Sequence, residues 1–276
     1  MSVTSIAVGA ARCTRIGYAE VGLDPAVVGL SGDQVAGIPW AEPTWARDGQ
    51  VLAAAAAWVV ESGDARIVVD PAQAADQILR SDADAAAHQE AFAALLQDAG
   101  FARDTITHAV ATHLDGIGMF AWRDGDGSWG PFFPNAPIRM SRRELDAIDD
   151  GFRIGGEPLS GVEVLGELRA IGAVEANDDH ERITDEVTLE LTGAHNPGHQ
   201  VVRIESAGER AVMLGHLALS PLHLTTGVCA LNLDPPAALV ALETIRDEGA
   251  LLIGPLWPEP GAGWWRDGAL TPFGSR

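Results

Sequence analysis

The stretches THLDGIG (residues 112–118), GAHNPGH (residues 193–199) and LGH (residues 214–216) hold four of the eight histidines of this chain. Short apolar segments surround them, and we predict strands over residues 106–112, 183–191, 201–204 and 211–214. Loops at strand ends are common carriers of chemistry, because the sheet holds them rigidly. We therefore treat His113, His195 and His216 as candidate site residues.

The size and composition of the chain favour one compact unit. Its 276 residues are 47% hydrophobic, which is enough to bury a large core, and no Ser-rich or Pro-rich linker divides them. We expect a single domain over residues 1–276. Cys13 and Cys229 are far apart in sequence and give neither a disulfide framework nor a Cys-x-x-Cys metal motif, so we expect two ordinary small apolar side chains.

The charge of the chain limits its partners. A formal net charge of −21 repels phosphates, which disfavours nucleic acids and anionic membranes. No apolar run reaches the roughly 18 residues of a membrane span, and the N-terminus lacks the pattern of a signal peptide. We expect a cytoplasmic protein with a small-molecule substrate, no nucleic acid and no membrane as partner; a homodimer is left open.

Strands and helices alternate along the chain. A hairpin is predicted over residues 51–70, broken at Gly63-Asp64, and a helix over residues 85–98. Ser141 and Glu144 have the spacing of a capping box that opens a helix to about residue 148. A late helix is predicted over residues 236–248, and residues 124–135 are predicted to be a loop. This order favours two sheets with flanking helices.

The ordered stretches resemble the metallo-β-lactamase superfamily, close to its lactonase-like hydrolase branch. Members carry Thr-His-x-His-x-Asp-His-x-Gly after a strand, then Trp, an Asp-Gly turn and Pro-x-Phe-Pro-Asn-Ala. The counterparts here are residues 112–119, 122–129 and 131–136. Residues 194–199 resemble the family's Gly-His-Thr-Pro-Gly-His. Residues 215–223 resemble its Gly-Asp with Pro-Leu-Gln, and residues 69–72 resemble its Val-Asp-Thr-Gly. The resemblance covers most of the chain and implies an αββα sandwich of the α/β (α+β) class.

The resemblance also implies a two-zinc site, from which this chain departs. The first loop is two residues short and keeps His113 and Asp115, and Gly116 stands where the last histidine of the loop is expected. His216 replaces the bridging aspartate. The segment IGPLW (residues 253–257) occupies the place of a late histidine ligand. We therefore predict that the standard two-metal site is absent and that the pocket is remodelled.

Four potential ligands remain, namely His113, Asp115, His195 and His216. Three imidazoles and one carboxylate are a reasonable ligand set for one Zn²⁺ or Fe²⁺, since both donor types bind such ions at about 2.0 to 2.2 Å. A bound ion would lower the pKa of a water molecule and polarise a carbonyl group. The first interpretation is a one-metal hydrolase, for which the resemblance implies an ester, lactone or amide substrate.

Two other interpretations stay open. Without a metal, the three histidines act as acids, bases or hydrogen-bond donors, with Asp115 or Asp70 orienting one imidazole. Such a protein would be a tailoring enzyme of specialised metabolism that carries out cyclisation, elimination, decarboxylation or ring opening. The Ala-rich, Lys-poor composition suits a high-GC bacterium, in which such enzymes are common. The third interpretation is a non-catalytic binding module. The expected cofactor is accordingly none or a single Zn or Fe ion.

Four further residues are candidates for substrate binding: His223, Trp122, Phe133 and Trp257. His223 stands where the family commonly has glutamine. The three aromatic side chains could line an apolar mouth or pack in the core. His199 is predicted to be structural, and the remaining histidines, His88, His108 and His180, receive no role.

Overall fold

The computed structural model describes residues 2–71, 85–114, 116–154, 157–227, 229 and 231–275. Its strands are β1 Ser2–Val8, β2 Ala11–Leu23, β3 Ala46–Arg47, β4 Gln50–Ser62, β5 Ala65–Val69, β6 His108–Val110, β7 Ala121–Arg123, β8 Trp129–Pro131, β9 Ile138–Ser141, β10 Arg153–Ile154, β11 Glu157–Pro158, β12 Val174–Asn177, β13 His180–Arg182, β14 Val187–Leu191, β15 Gln200–Ser206, β16 Glu209–Met213, β17 Leu251–Ile253, β18 Ala262–Arg266 and β19 Ala269–Pro272.

The α-helices are α1 Gly32–Ala36, α2 Ala85–Asp98, α3 Arg142–Asp149, α4 Val162–Ala170, α5 His223–Thr226 and α6 Pro235–Asp247. Short 3₁₀ helices span Pro25–Val28, Arg103–Thr105, Gly118–Phe120 and Gly215–Ala218. No helix in the described part of the chain is long and apolar enough to cross a membrane.

Two large sheets form the centre of the fold. The first has the strand order β1-β2-β4-β5-β6-β9-β12, with β3 paired to β4, and the second runs from β13 to β19 in sequence order. In the first sheet the pairs β5/β6, β6/β9 and β9/β12 are parallel. In the second sheet β16 and β17 are parallel, and helix α6 connects them.

The apolar side chains form three layers, which is why β4 is buried over most of its length. Trp58 and Val60 pack with Val202 and Ile253 in the cluster between the two sheets. Val59 points the other way and packs with helix α2 in a second cluster, as expected from the alternation of side chains along a strand. A third cluster joins the second sheet to α6. The chain is thus an αββα sandwich.

The sheets present their loops at a shared edge. Val69 at the end of β5 is in register with Val110 at the end of β6, and the chain continues from there into residues 111–114. In the second sheet, Leu191 pairs with Gln200, so residues 192–199 form the connecting loop. The Gln200 amide donates to the Thr112 carbonyl oxygen at 2.9 Å, which joins the loops of the two sheets.

Most predicted elements are confirmed, with shifted limits. The hairpin is β4 and β5, and the helices over 85–98 and 236–248 are α2 and α6. The strand predicted over residues 106–112 covers only His108–Val110. The prediction of a loop over residues 124–135 was wrong in part, because Trp129–Pro131 forms a hairpin with Ala121–Arg123. Its Gly and Pro content obscured the short strand.

Candidate functional site

Three of the histidines selected from the sequence lie together at the shared edge of the sheets. One nitrogen from each of His113, His195 and His216 can be chosen so that all three lie within 4.8 Å of one another. The ring centroids of His113 and His216 are 4.3 Å apart, and those of His113 and His195 are 4.7 Å apart. All three side chains are buried, with His195 the most exposed at 5%. We call this group the histidine centre.

A chain of hydrogen bonds determines which nitrogen of His113 carries the proton. The buried Asp70 carboxylate accepts from the Thr112 amide at 2.9 Å and from the Thr112 hydroxyl at 2.7 Å. Because that hydroxyl has one proton and donates it to Asp70, its oxygen must accept from His113 Nδ1 at 3.0 Å. The Nε2 atom of neutral His113 therefore carries the lone pair and faces the histidine centre.

His216 and His195 are oriented by similar contacts. His216 Nδ1 lies 3.0 Å from His113 Nε2, and since that Nε2 is an acceptor, His216 donates. His195 Nδ1 lies 3.0 Å from Asn232 Oδ1 and donates to it, which leaves the lone pair on Nε2. The Leu233 amide donates to the His195 carbonyl oxygen at 2.9 Å. Each imidazole is thus held by a neighbour in one tautomer.

Gly215 brings the His216 turn close to the rest of the site. It has a φ of 53°, in the left-handed region, and it begins the 3₁₀ helix that carries His216. A Cβ at this position would lie 2.6 Å from His199 Nε2 and 2.7 Å from Thr112 Oγ1. The other end of the turn is held by Trp257, whose indole Nε1 donates to the Ala218 carbonyl oxygen at 2.9 Å.

Burial favours the neutral forms of His113 and His199. Burial lowers the pKa of His113 well below its ordinary value, and the neighbouring His216, His195 and His199 lower it further. The pKa of His199 is also lowered well below its ordinary value by burial, followed by His195 and His216. A neutral imidazole has a lone pair that accepts a proton or binds a metal ion, so His113 can act as a base or a ligand in the histidine centre.

Glu144 is a site residue whose contacts sequence reasoning missed. Helix α3 begins after Ser141, as predicted, and the Ser141 hydroxyl accepts from the Arg143 amide. The expected return contact of a capping box is replaced, because the Glu144 carboxylate accepts from Leu114, Asn196 and Gly198. The Ser-x-x-Glu spacing marked Glu144, but it gave no indication of partners on two distant loops.

The other predicted residues occupy varied positions. Asp115 lies outside the described residues. His223 is buried; its Nδ1 accepts from the Ser220 amide, and its Nε2 donates to the Val28 carbonyl oxygen. Burial lowers the pKa of His223 to about 4. Its role in substrate binding stays a prediction.

The predicted aromatic residues lie in apolar clusters. Trp257 is buried against Trp45, with ring centroids 6.0 Å apart, and it contacts the turn that carries His216 through its bond to Ala218. Phe133 is buried against Phe132. Trp122 is half-buried under the guanidinium group of Arg103, 3.9 Å from the ring centroid. Their contact with a substrate likewise stays a prediction.

Comparison with solved structures identifies the fold. AidC, described as a dizinc quorum-quenching lactonase in complex with a product, is 18% identical with a TM-score of 0.73, over 99% of this chain and 98% of AidC. The hydrolase AbOPH of the beta lactamase superfamily is 17% identical with a TM-score of 0.74, over 99% and 98% of the two chains. This chain has the metallo-β-lactamase fold. A probable metal-dependent hydrolase from Staphylococcus aureus is 14% identical with a TM-score of 0.71, over 98% and 100%.

No protein-family model matches the chain, and no curated protein matches it. The metallo-β-lactamase fold is therefore established by structure, at sequence identities of 14–18% for these three relatives. At such low sequence identity, structural similarity shows a shared arrangement of strands and helices. The chemistry of this protein has to be argued from the histidine centre itself.

The donor set of the histidine centre fits one metal ion. Zn–N bonds of about 2.0 to 2.1 Å place two nitrogens of a tetrahedral site roughly 3.4 Å apart, a separation compatible with three nitrogens within 4.8 Å. The bond to Thr112 leaves the lone pair of His113 on Nε2, and an ion bound there would replace the hydrogen bond that this nitrogen accepts from His216 Nδ1. Within the described residues, this is the one group of three such side chains close enough to share an ion.

Proposed function

We propose that this protein is a small-molecule hydrolase of the metallo-β-lactamase fold, acting on an ester, lactone or amide, with the histidine centre as its active site. The observation that carries the proposal is the convergence of three buried imidazoles at the edge where the two sheets meet. The fold supports it, because two of the similar structures are described as a lactonase and a hydrolase.

His113, His195 and His216 would hold a single divalent ion. When bound, such an ion supplies Lewis acidity toward a carbonyl oxygen and a water of lowered pKa. We infer one ion rather than two, since the described part of the chain offers one three-histidine set, and His216 stands where the resemblance implies a bridging aspartate. The three ligands found among the described residues are imidazoles, which carry no charge when they bind an ion, and this favours an anionic ligand or transition state at the same centre.

The neighbouring residues orient the imidazoles of the histidine centre. The Asp70 carboxylate and the Thr112 hydroxyl hold His113 in the tautomer that presents Nε2. Asn232 holds His195 in the same way. All three histidines are buried, and His195 is the most exposed of them. Groups held on a rigid frame of strands are placed more precisely than groups on free loops.

A second candidate is supported by one specific contact. The hydrogen bond of 3.0 Å between His216 Nδ1 and His113 Nε2 is a direct path for a proton between two imidazoles. In a metal-free enzyme, one imidazole accepts the proton of the nucleophile and an imidazolium returns it to the leaving oxygen. Ring opening, cyclisation or elimination would then follow acid–base chemistry alone.

Elemental analysis after mild purification tests the proposal. We expect close to one equivalent of Zn, Fe or Mn per chain, lost in His195→Ala and His216→Ala and kept in the exposed-site control His180→Ala. Less than about a tenth of an equivalent in the unaltered protein would reject the one-ion centre. Circular dichroism of each variant separates loss of the ion from loss of the fold.

Turnover separates the two candidates. A panel of lactones, aryl esters and amides is assayed before and after chelation. Loss of hydrolysis on chelation, with recovery on adding the ion, supports the one-ion hydrolase. Turnover that survives chelation and has a pH–rate profile altered by His216→Ala supports the metal-free enzyme. Binding without turnover of any member would favour a binding module.

A further inference from the structure

Outside the histidine centre, the first turn of α3 holds a buried carboxylate, that of Glu144. Its side chain is 1% exposed. An unpaired buried carboxylate is costly, so its partners indicate what it does. They are the Leu114 amide at 2.9 Å, the Asn196 side-chain amide at 2.8 Å and the Gly198 amide at 3.1 Å.

These three donors belong to the two loops that carry His113 and His195. Leu114 directly follows His113, and Asn196 directly follows His195. Glu144 Oε1 accepts from Leu114 and from Asn196, so one oxygen atom ties a residue of the first loop to a residue of the second. Oε2 accepts from Gly198 on the far side of the second loop. The carboxylate thus joins the neighbours of two histidines through backbone and side-chain bonds.

The backbone at this contact is built for close approach. A Cβ on Gly198 would lie 2.3 Å from both the Cβ and the amide nitrogen of Glu144. Any side chain at position 198 would push the loop from the helix and break the bond to Oε2. The absence of a side chain there is therefore what lets a helix of the first sheet hold a loop of the second.

We propose that Glu144 is a positioning residue that sets the distance and orientation between the imidazoles of His113 and His195. This rests on the proposed function of the histidine centre. Rigid placement of donor groups is what gives an ion site its affinity and a catalytic site its rate, and partners outside the ligand set commonly change metal affinity by about 10- to 100-fold.

The acceptor character of the carboxylate matches this role. All three partners are donors, and an ionised carboxylate accepts on both oxygens. Burial raises the pKa of Glu144 to about 6, and the bonds from Leu114, Gly198 and Asn196 oppose that rise, so the group is ionised in neutral solution. Glutamine at this position keeps one acceptor oxygen and turns an NH₂ group toward one of the donors.

The test compares Glu144→Gln and Glu144→Ala with Asp146→Asn, an exposed residue on the same helix. Co²⁺ is titrated into each apo-protein, with its visible absorption spectrum as the record of ligand geometry, and urea unfolding measures stability. We expect Co²⁺ affinity to fall about 10-fold in Glu144→Gln and more in Glu144→Ala, with an altered spectrum, and to be unchanged in Asp146→Asn. An unaltered affinity and spectrum in folded Glu144→Gln would overturn the proposal.

Two further measurements test the proposal if a Glu144 variant does not fold or if the protein binds no Co²⁺. Asn196→Ala removes one of the three donors and is expected to give a smaller change than Glu144→Gln, so it replaces any Glu144 variant that fails to fold. If the unaltered protein binds no Co²⁺, the one-ion proposal fails. The positioning role of Glu144 is then tested by the ¹⁵N chemical shifts of the His113 and His195 rings. Shifts of both rings in Glu144→Gln but not in Asp146→Asn support the positioning role, and unchanged rings reject it.

Discussion

A single hydroxyl proton links Asp70 to the orientation of His113. The Thr112 hydroxyl donates it to the carboxylate, and this leaves the hydroxyl oxygen as the acceptor for His113 Nδ1. A methyl group in place of the hydroxyl would remove both contacts and keep the shape of the side chain. The tautomer of one imidazole therefore depends on a fully buried residue outside the histidine centre.

We predict that Thr112→Val lowers the free energy of unfolding by about 1–3 kcal/mol, because Asp70 and His113 each lose a buried partner. Urea unfolding gives the energy, and ¹⁵N spectra of the His113 ring should show both tautomers. Thr188→Val, on the half-exposed strand β14, is the matched control and should change stability by less than about 0.5 kcal/mol. Equal losses in the two variants would contradict the assignment.

The lowered pKa of His223 makes the free energy of unfolding depend on pH. Its pKa is about 4 in the folded protein, below the ordinary 6.5, so the unfolded chain takes up the proton first as the pH falls. Its contribution is complete above about pH 6.5 and is lost progressively toward pH 4, by up to about 3 kcal/mol.

Glutamine can replace both hydrogen bonds of His223 without titrating, since it has one acceptor oxygen and one NH₂ donor. We predict that His223→Gln stays within about 1.5 kcal/mol of the unaltered protein at pH 7.5. Between pH 6.5 and 4 its free energy of unfolding should fall less steeply. Denaturant unfolding across this range measures both slopes, and identical slopes would show that His223 does not titrate as expected.

At the scale of elements, the contact between helix α3 and the loop of residues 192–199 depends on Gly198. We predict that Gly198→Ala destabilises the protein by more than about 2 kcal/mol, because its Cβ would overlap the Glu144 backbone. Gly166 in helix α4 is the control, since a Cβ there has no neighbour within 4 Å. Gly166→Ala should stabilise by about 0.5–1 kcal/mol, as expected for alanine in a helix. Thermal and urea unfolding of the pair give the comparison.

The sequence was sufficient to predict the layers and the meeting of the three histidines. Alternating and continuous apolar runs predict strands buried on one or both faces, and strand ends place His113, His195 and His216 at loops. The partners of those residues could not be predicted. Glu144 binds residues 30, 52 and 54 positions away, and such contacts depend on how two sheets pack rather than on local spacing.

At the scale of the whole molecule, the net charge of −21 opposes folding through repulsion across the surface. We predict that raising NaCl from about 10 mM to about 150 mM increases the melting temperature at pH 7.5, because the screening length falls from about 30 Å to about 8 Å. Calorimetry measures the shift. The same experiment near the sequence pI of about 4.5 should show little change, since the net charge is then close to zero.

The histidine centre draws its parts from both sheets: His113 follows a strand of the first, and His195 and His216 follow strands of the second. A break in the polypeptide between β12 and β13 would give two fragments, neither of which contains the full set of imidazoles. Reconstitution from such fragments would restore the centre only when the sheets associate. The centre would thus serve as a reporter of sandwich assembly, and its formation would be a late event in folding.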